Sequence, residues 1–386
     1  MIKNVSMSRK SDRYLTPVIQ NILSKKMVFI GGPRQVGKTT ASLYFVNPST
    51  VKNPQYLNWD NYSDRKIILN NEIPLAKKTL ILDEIHKYKN WRNLIKGLYD
   101  KNHEDHQFIV TGSARLDYFH KGGDSLLGRY RYLRMHPFSL SEMSKNPNHN
   151  DLEKLMKFGG FPEPLFAQSE NEHRIWQNDR MNKVVSEDIR DLQNVKDISL
   201  LLLLAEILPT KVGSPLSLKS LHEDLQVSQP TIESWVNLLS HLYYCYLIPP
   251  YGSPKIRAVK KLQKLYMWDW SQVDELGFRF ENLVASHLLK YCHFIQDTEG
   301  HIMELRYLRD TDGRELDFVV LKNKKPIFAV ECKTGDKQLS KHIQYFKERT
   351  PIPEFYQVHM KEKDFGSKKT GRVLPFTVFC KELGLV

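Results

Sequence analysis

The sequence predicts an α/β protein in which a parallel, phosphate-binding sheet is followed by a helical region with a winged helix and then by an α+β domain. Three observations lead to this prediction. Apolar segments alternate with amphipathic helical segments up to about residue 135, which is typical of a parallel sheet. Residues 32–39 read GPRQVGKT and satisfy the pattern G-x-x-x-x-G-K-[ST]. Further on, two short helices over 217–239 precede a hairpin with acidic residues over 315–333.

The first predicted strand leads into a phosphate-binding loop. Backbone N–H groups of such a loop form a nest for phosphate oxygens, and the helix expected from Thr39 adds its positive N-terminal end. Lys38 offers a charge to the β- and γ-phosphates, and the hydroxyl of Thr39 offers a ligand to Mg²⁺. ATP and Mg²⁺ are therefore the predicted cofactors. The predicted nucleotide-binding residues are Gly32, Pro33, Arg34, Gln35, Val36, Gly37, Lys38, Thr39 and Thr40.

A second apolar strand ends in two acids, Asp83 and Glu84. Downstream of a phosphate-binding loop, such a pair predicts that Asp83 holds Mg²⁺ and that Glu84 polarises the attacking water. Without the loop, two solvated acids at the end of a strand would be the ordinary interpretation. The next strand ends in small polar residues, of which Ser113 or Thr111 is expected to contact the γ-phosphate or the water. The predicted strands of this sheet are 27–31, 55–59, 79–83, 107–112 and 130–135.

Arg129 follows Gly128 just after these strands. An arginine in this place can reach a γ-phosphate in the same or a neighbouring subunit and stabilise the charge of the transition state. Arg129 is therefore the predicted arginine finger, with Arg115 and Arg131 as alternatives. If Arg129 acts on a neighbouring subunit, the protein self-associates as a dimer or a ring.

The composition indicates a nucleic-acid partner. The 386 residues carry 57 Lys and Arg against 44 Asp and Glu, a formal net charge of +13, and such an excess favours polyanions. The four cysteines are widely spaced and contain no CxxC pair, which suits a reducing compartment. No apolar run approaches the ~20 residues that a membrane span needs. We therefore expect a cytoplasmic protein without a membrane partner.

The chain is predicted to contain four regions: 1–135, 136–195, 196–252 and 253–386. In the third, a helix over 217–225, a turn capped by Ser228 and a helix with Pro230 in its first turn suggest a helix-turn-helix with a wing. Its exposed face is predicted to include Gln229, Thr231, Ser234 and Asn237. These residues are polar rather than basic, so the winged helix serves either DNA reading or packing. The stretch 251–264 carries five basic residues and is either a linker or a phosphate-contacting strip.

The hairpin of the fourth region carries the other chemical signal. If the hairpin is symmetric about residues 323–325, Asp317 lies opposite Glu331, and Lys333 shares their face. Facing carboxylates repel each other, and a bound Mg²⁺ would resolve the conflict. Lys333 would then position or deprotonate the water that attacks a phosphodiester. Glu281 falls on an apolar helix face, which is explained if it points at the same metal.

These residues together resemble the prokaryotic AAA-type ATPases that carry an uncharacterised C-terminal domain. The resemblance covers nearly the whole chain and implies a P-loop ATPase core of the AAA type, a winged helix and a C-terminal fold similar to PD-(D/E)xK restriction-endonuclease-like nucleases. Glu281, Asp317, Glu331 and Lys333 map onto the nuclease pattern, with the metal on Asp317 and Glu331. The matching segments are 31–39 (GGPRQVGKT), 82–84 (LDE), 111–113 (TGS), 128–129 (GR), 136–142 (HPFSLSE), 159–162 (GGFP) and 277–282 (GFRFEN).

The function predicted from the sequence is that of a Mg²⁺-dependent ATPase acting on DNA as a motor or switch. DNA would be bound by the winged helix and the nuclease-like domain, and metal-dependent cleavage is possible at the C-terminal site. The alternative is an ATP-dependent DNA- or protein-binding module whose nuclease-like domain is catalytically silent, because fold and motif do not guarantee activity.

Overall fold

Short apolar segments near the start of the chain form a parallel sheet of five strands. The sheet has the order β2-β3-β4-β1-β5, and every pairing is parallel, which confirms the predicted parallel α/β fold of the N-terminal part. Each strand begins and ends within one residue of its predicted limits. The strands are β1 (Met27–Gly31), β2 (Tyr56–Asn58), β3 (Thr79–Asp83), β4 (Gln107–Thr111) and β5 (Tyr130–Arg134).

The computed structural model describes residues 13–73, 78–112, 126–184, 197–252, 263–336 and 338–385. The chain divides into two compact units, Met1–His136 and Pro137–Val386. Two of the residues considered above, Ser113 and Arg115, and most of the basic stretch 251–264 lie outside the described residues.

The residues predicted to bind nucleotide and Mg²⁺ lie at one edge of the parallel sheet. β1 and β3 are buried along their whole length, as expected for strands covered on both faces. Because all strands run the same way, the residues that follow β1, β3 and β4 meet at the carboxyl edge. The helices of this unit are α1 (Thr16–Leu23), α2 (Lys38–Leu43), α3 (Tyr62–Asn70) and α4 (Trp91–Asn102).

The second unit begins with helices, among them two consecutive ones, Leu218–Leu225 and Gln229–His241, that are joined by a short turn and contact each other. In the second helix of this pair Ile232, Trp235 and Val236 are buried, while Ser234 and Asn237 are exposed. The short strands β6 (Cys245–Ile248) and β7 (Lys264–Met267) follow and pair antiparallel. The helices are α5 (Leu140–Met143), α6 (His149–Phe158), α7 (Pro162–Ala167), α8 (Glu170–Lys183), α9 (Ile198–Ile207), α10 (Leu218–Leu225) and α11 (Gln229–His241).

A mixed six-stranded sheet of order β12-β13-β11-β10-β9-β8 completes the second unit. The 24-residue helix α12 (Leu276–Glu299) packs against β8, β9 and β10. One apolar core contains buried residues from Phe138 to Leu385, so the helices and this sheet fold together. The strands are β8 (Met303–Arg309), β9 (Glu315–Lys322), β10 (Lys325–Lys333), β11 (Phe355–His359), β12 (Phe365–Ser367) and β13 (Gly371–Pro375), with helices α13 (Lys341–Lys347) and α14 (Phe376–Leu383).

Among the described residues, no helix combines the length and the apolar composition that a bilayer span requires.

Candidate functional site

The loop between β1 and α2 has a backbone that only glycine accepts at two positions. Gly32 has φ +146°, and a Cβ there would collide with the carbonyl oxygen of Met135. Gly37 has φ +95° and is the N-cap of α2. The two glycines of the motif therefore allow the chain to turn tightly from the strand into the helix, as a phosphate-binding loop requires.

Lys38 is the first residue of α2 and is only 6% exposed. Its ammonium group donates hydrogen bonds to the carbonyl oxygens of Gly32 (3.0 Å) and Pro33 (2.6 Å). The charge is thus held inside the loop, where the phosphates of a nucleotide would lie.

Arg13, which the sequence analysis did not single out, stabilises this loop. Arg13 is buried, and its guanidinium donates to the carbonyl oxygens of Val36 (2.8 Å) and His136 (2.7 Å). The guanidinium of Arg13 thereby forms hydrogen bonds with both the phosphate-binding loop and the segment after β5. No sequence pattern marks Arg13, because its partners lie 23 and 123 residues away.

Asp83 is the centre of the polar contacts at the carboxyl edge of the sheet. Its Oδ2 accepts hydrogen bonds from the hydroxyls of Thr39 (2.7 Å) and Tyr56 (2.7 Å), and its Oδ1 accepts one from the hydroxyl of Thr111. The last residue of β3 thus meets the phosphate-binding loop, as the sequence predicts for a Mg²⁺ site. The oxygen atoms of Thr39 and Asp83 are hard ligands of the kind that Mg²⁺ prefers.

Ser113 or Thr111 is predicted to contact the γ-phosphate or the water; the Thr111 hydroxyl is bonded to Asp83, and Ser113 lies outside the described residues. Tyr56, on β2, is a further member of this cluster that the sequence analysis missed. Burial, followed by the charge of Asp83, raises the pKa of the Tyr56 hydroxyl, so it remains a hydrogen-bond donor. Because the phenol reaches Asp83 from another strand, only the order of the strands reveals the contact.

We predict that Tyr56→Phe weakens the use of Mg²⁺-ATP. The substitution removes a hydrogen bond to a carboxylate, which is typically worth about 1.5–3 kcal/mol, and frees Asp83 to shift. Steady-state ATP hydrolysis at varied Mg²⁺ should show a roughly tenfold higher Mg²⁺ requirement. Tyr44→Phe, which alters an exposed tyrosine, is the matched control; equal Mg²⁺ requirements of the two variants would contradict the role of Tyr56.

Glu84 directly follows β3 and has left-handed backbone angles (φ +55°). Its carboxylate lies 3.7 Å from both His86 Nε2 and Lys87 Nζ. Burial raises the pKa of Glu84 above its ordinary value, and the nearby ammonium of Lys38 opposes that rise. A carboxylate with a raised pKa is suited to take a proton from water.

The raised pKa of Glu84 predicts the acid side of the pH profile. Only the deprotonated carboxylate polarises water, so ATP hydrolysis should fall as the pH drops through a pKa above 4.5, the ordinary value. Lys87 lowers the pKa of Glu84, so Lys87→Ala should move this acid limb to still higher pH. A profile whose acid limb does not move in Lys87→Ala would argue against Glu84 as the titrating group.

Arg129 lies away from the site of its own chain. β5 runs parallel to β1, with Tyr130 opposite Met27 and Arg134 opposite Gly31. Arg129 is thus at the amino edge of the sheet, roughly 15 Å from the edge that carries the loop, given ~3.3 Å per strand residue. Its guanidinium forms an ion pair with Asp100 (Nε–Oδ1 2.7 Å). Both possibilities left open by the sequence stay predictions, and the distance within one chain argues against contact in the same subunit.

A second group of charged residues lies in the C-terminal unit around β9 and β10. Phe318 pairs with Val330, so Asp317 and Glu331 come next on the two strands as predicted, but the register shifts between Pro326 and Phe328 because Lys322 pairs with Lys325 across the turn. Asp317 Oδ2 accepts a hydrogen bond from the Cys332 N–H (2.7 Å). Glu331 is buried and forms an ion pair with Lys333 (2.6 Å). The structure thus brings these three predicted residues together.

Glu281 belongs to the same group, but its partner differs from the prediction. Its Oε1 accepts from Lys264 Nζ (3.2 Å) and from the Tyr266 hydroxyl (2.7 Å). The buried ammonium of Lys264 also lies 2.5 Å from Glu315 Oε1 and 3.8 Å from Asp317 Oδ1. A buried lysine therefore accompanies the acid on the apolar helix face, and the role of Glu281 toward a metal stays a prediction. A lysine in the otherwise apolar strand β7 was a sequence signal that could have revealed this.

Two carboxyl groups of this acidic group have raised pKa values and therefore hold a proton more readily than free carboxyls. Burial, and then the charge of Asp317, raise the pKa of Glu281 to about 7 and that of Glu331 to about 8. Glu331 Oε2 is buried without a hydrogen-bond partner. Within the described ranges, however, no three His, Cys, Asp or Glu side chains converge as a ready metal site. The binding of Mg²⁺ by Asp317 and Glu331 therefore stays a prediction, in which phosphate oxygens would complete the coordination.

Comparison with known protein families divides the chain into three matches. Residues 24–144 match the family described as AAA domain, so this part of the chain is an AAA-type, P-loop ATPase-like domain. Residues 149–276 and 276–379 match two different domains of unknown function. The winged-helix and nuclease-like identities of the C-terminal unit thus remain predictions.

Similar full-length proteins are themselves uncharacterised. The uncharacterized proteins MJ1544 and MJ1637 of Methanocaldococcus jannaschii are 21% and 22% identical, over 94% and 74% of this chain and 87% and 71% of theirs. The uncharacterized protein Rv2008c of Mycobacterium tuberculosis is 20% identical over 78% of this chain and 68% of its own.

Among solved structures, similarity is found to the Aeropyrum pernix ORC1 protein in complex with DNA (13% identity, TM-score 0.31, 68% of this chain and 88% of that chain). It is also found to the Thermotoga maritima RuvB Holliday junction branch migration motor (16% identity, TM-score 0.31, 61% of this chain and 87% of that chain). Superpositions of this quality support no conclusion about function.

Proposed function

We propose that this protein hydrolyses ATP with Mg²⁺ and couples hydrolysis to DNA. The observation that supports the ATPase is the meeting of Thr39 and Asp83 beside the loop that holds the Lys38 ammonium. Lys38 would bind the β- and γ-phosphates, while Thr39 and Asp83 would hold Mg²⁺, which neutralises charge on the phosphate oxygens. Glu84 would orient the attacking water and accept its proton.

The distribution of charge supports DNA as the partner and suggests which part binds it. In residues 1–136, Lys and Arg outnumber Asp and Glu by about two to one, whereas acids outnumber bases in 196–252. Phosphate contacts need positive charge. The helix-turn-helix of α10 and α11 would therefore contribute base contacts at most, and the ATPase unit would provide most of the affinity for the backbone.

The proposal is tested by steady-state ATP hydrolysis with Mg²⁺, in the absence of DNA and with single-stranded, duplex or branched DNA. Lys38→Ala serves as the blank. Stimulation by one form of DNA would support the coupled ATPase and identify its substrate. Hydrolysis that is indifferent to all three forms would overturn the coupling to DNA and favour a protein partner, and no hydrolysis above the blank would overturn the ATPase itself.

Self-association would follow if Arg129 acts as the arginine finger of a neighbouring subunit, a role that its distance from the loop of its own chain supports. Arg129→Ala and Lys38→Ala would then each be inactive, while their mixture would recover part of the activity through mixed interfaces. A mixture no more active than its components would refute the assignment.

DNA cleavage is a second candidate function, favoured by the adjacent carboxylates of Asp317 and Glu331 and by the nearby Lys333. Cleavage of plasmid DNA with Mg²⁺ should be lost in Glu331→Ala and Lys333→Ala, with DNA affinity largely kept. Absence of cleavage by the unaltered chain would favour the alternative, in which the C-terminal unit binds DNA or protein without cleaving DNA.

A further inference from the structure

The ammonium of Lys264 is surrounded by carboxylates in the way a metal ion would be. Three acids from two elements approach it: Glu281 from α12, and Glu315 and Asp317 from β9, at 3.2, 2.5 and 3.8 Å. The Lys264 side chain is fully buried. A buried ammonium is normally costly, and here the surrounding carboxylates compensate it.

Asp317 lies between this ammonium and the second half of the acidic group. Its Oδ1 faces Lys264, and its Oδ2 accepts the Cys332 N–H next to Glu331. On that far side, Glu331 Oε1 is paired with Lys333, while Glu331 Oε2 is buried without a hydrogen-bond partner. Oδ1 of Asp317 therefore lies near the ammonium of Lys264. On the Oδ2 side of Asp317, the Oε2 atom of Glu331 has no hydrogen-bond partner.

Sites that cleave phosphodiesters with two metals place the two ions about 3.5–4 Å apart, sharing a carboxylate. We propose that Lys264 is a built-in cation that takes the place of one of these ions, so that the acidic group accepts at most one divalent cation, on Asp317 and Glu331. Glu281 and Glu315 then serve the lysine rather than a metal. This inference rests on the acidic group described under the second candidate function, and it holds whether or not the chain cleaves DNA.

The test counts bound Mn²⁺ by electron paramagnetic resonance on the nucleotide-free full chain. Asp83→Asn is introduced throughout so that the ATP site does not contribute. This background and its Lys264→Arg version, which keeps the charge, should bind one Mn²⁺ per chain. Lys264→Met should bind a second Mn²⁺, or bind the first at least tenfold more tightly, because the repelling charge is gone.

A further variant protects the test against misfolding. Lys264→Met combined with Glu281→Gln removes both partners of the buried pair, and it should bind the first Mn²⁺ at least tenfold more tightly than the background. Two ions in the background would overturn the proposal. So would superimposable isotherms of the background and of both Lys264→Met variants, whether they show one ion or none. Because the readout is metal binding, neither a silent nuclease nor an inactive ATPase changes the result.

Discussion

Replacing Lys38 by alanine is expected to lower the kcat for ATP hydrolysis at least a hundredfold. The ammonium is held inside the loop by the carbonyl oxygens of Gly32 and Pro33. It is therefore positioned to stabilise the negative charge that develops on the phosphates in the transition state. Loss of one such donor to a transition-state oxyanion typically costs about 10²–10³ in kcat. Steady-state kinetics at saturating Mg²⁺-ATP measures the effect.

Lys25→Ala is the matched control, since Lys25 is an exposed lysine at the opposite edge of the same sheet. It should leave kcat unchanged. If Lys38→Ala retained more than about a tenth of the kcat, the loop would not be the site of hydrolysis. Circular dichroism should show both variants folded, because the glycine backbone and the hydrogen bonds of Arg13 still hold the loop when those of Lys38 are lost.

Replacing Lys264 by alanine is expected to destabilise the second unit by about 3–5 kcal/mol. The substitution leaves Glu281 buried without the ammonium that compensates it, whereas Glu315 keeps its ion pair with Arg309. For a unit of this size, the loss corresponds to a thermal midpoint lower by on the order of 10 °C. Differential scanning calorimetry gives the shift, and the transition of the first unit is recognised because added nucleotide raises it.

Lys325→Ala, at an exposed position at the start of β10, controls for the simple loss of a lysine. The double variant Lys264→Met with Glu281→Gln should recover part of the lost stability, because it removes the stranded carboxylate together with the ammonium. A midpoint of Lys264→Ala equal to that of the control would mean that the buried pair contributes nothing to the second unit.

Local sequence patterns predicted the parts of the fold in which neighbours in sequence are also neighbours in space. The limits of the parallel strands follow from short apolar runs, and the phosphate-binding loop follows from the spacing of its glycines, lysine and threonine. The hairpin follows from its short turn, but the register that places Asp317 next to Glu331 also depends on a shift between Pro326 and Phe328, because Lys322 pairs with Lys325 across the turn. In each case the physical constraint acts within about ten residues of the chain.

What the sequence by itself determined is therefore the AAA-type ATPase-like domain, its nucleotide-binding loop and the grouping of the hairpin acids. Only the tertiary structure showed that Arg13 supports the loop, that Tyr56 bonds to Asp83, that Arg129 lies at the far edge of the sheet and that Lys264 neutralises Glu281. These contacts depend on strand order and on long side chains that reach across elements. Burial makes them necessary, because a charge removed from water needs a partner, but it does not specify where along the chain that partner lies.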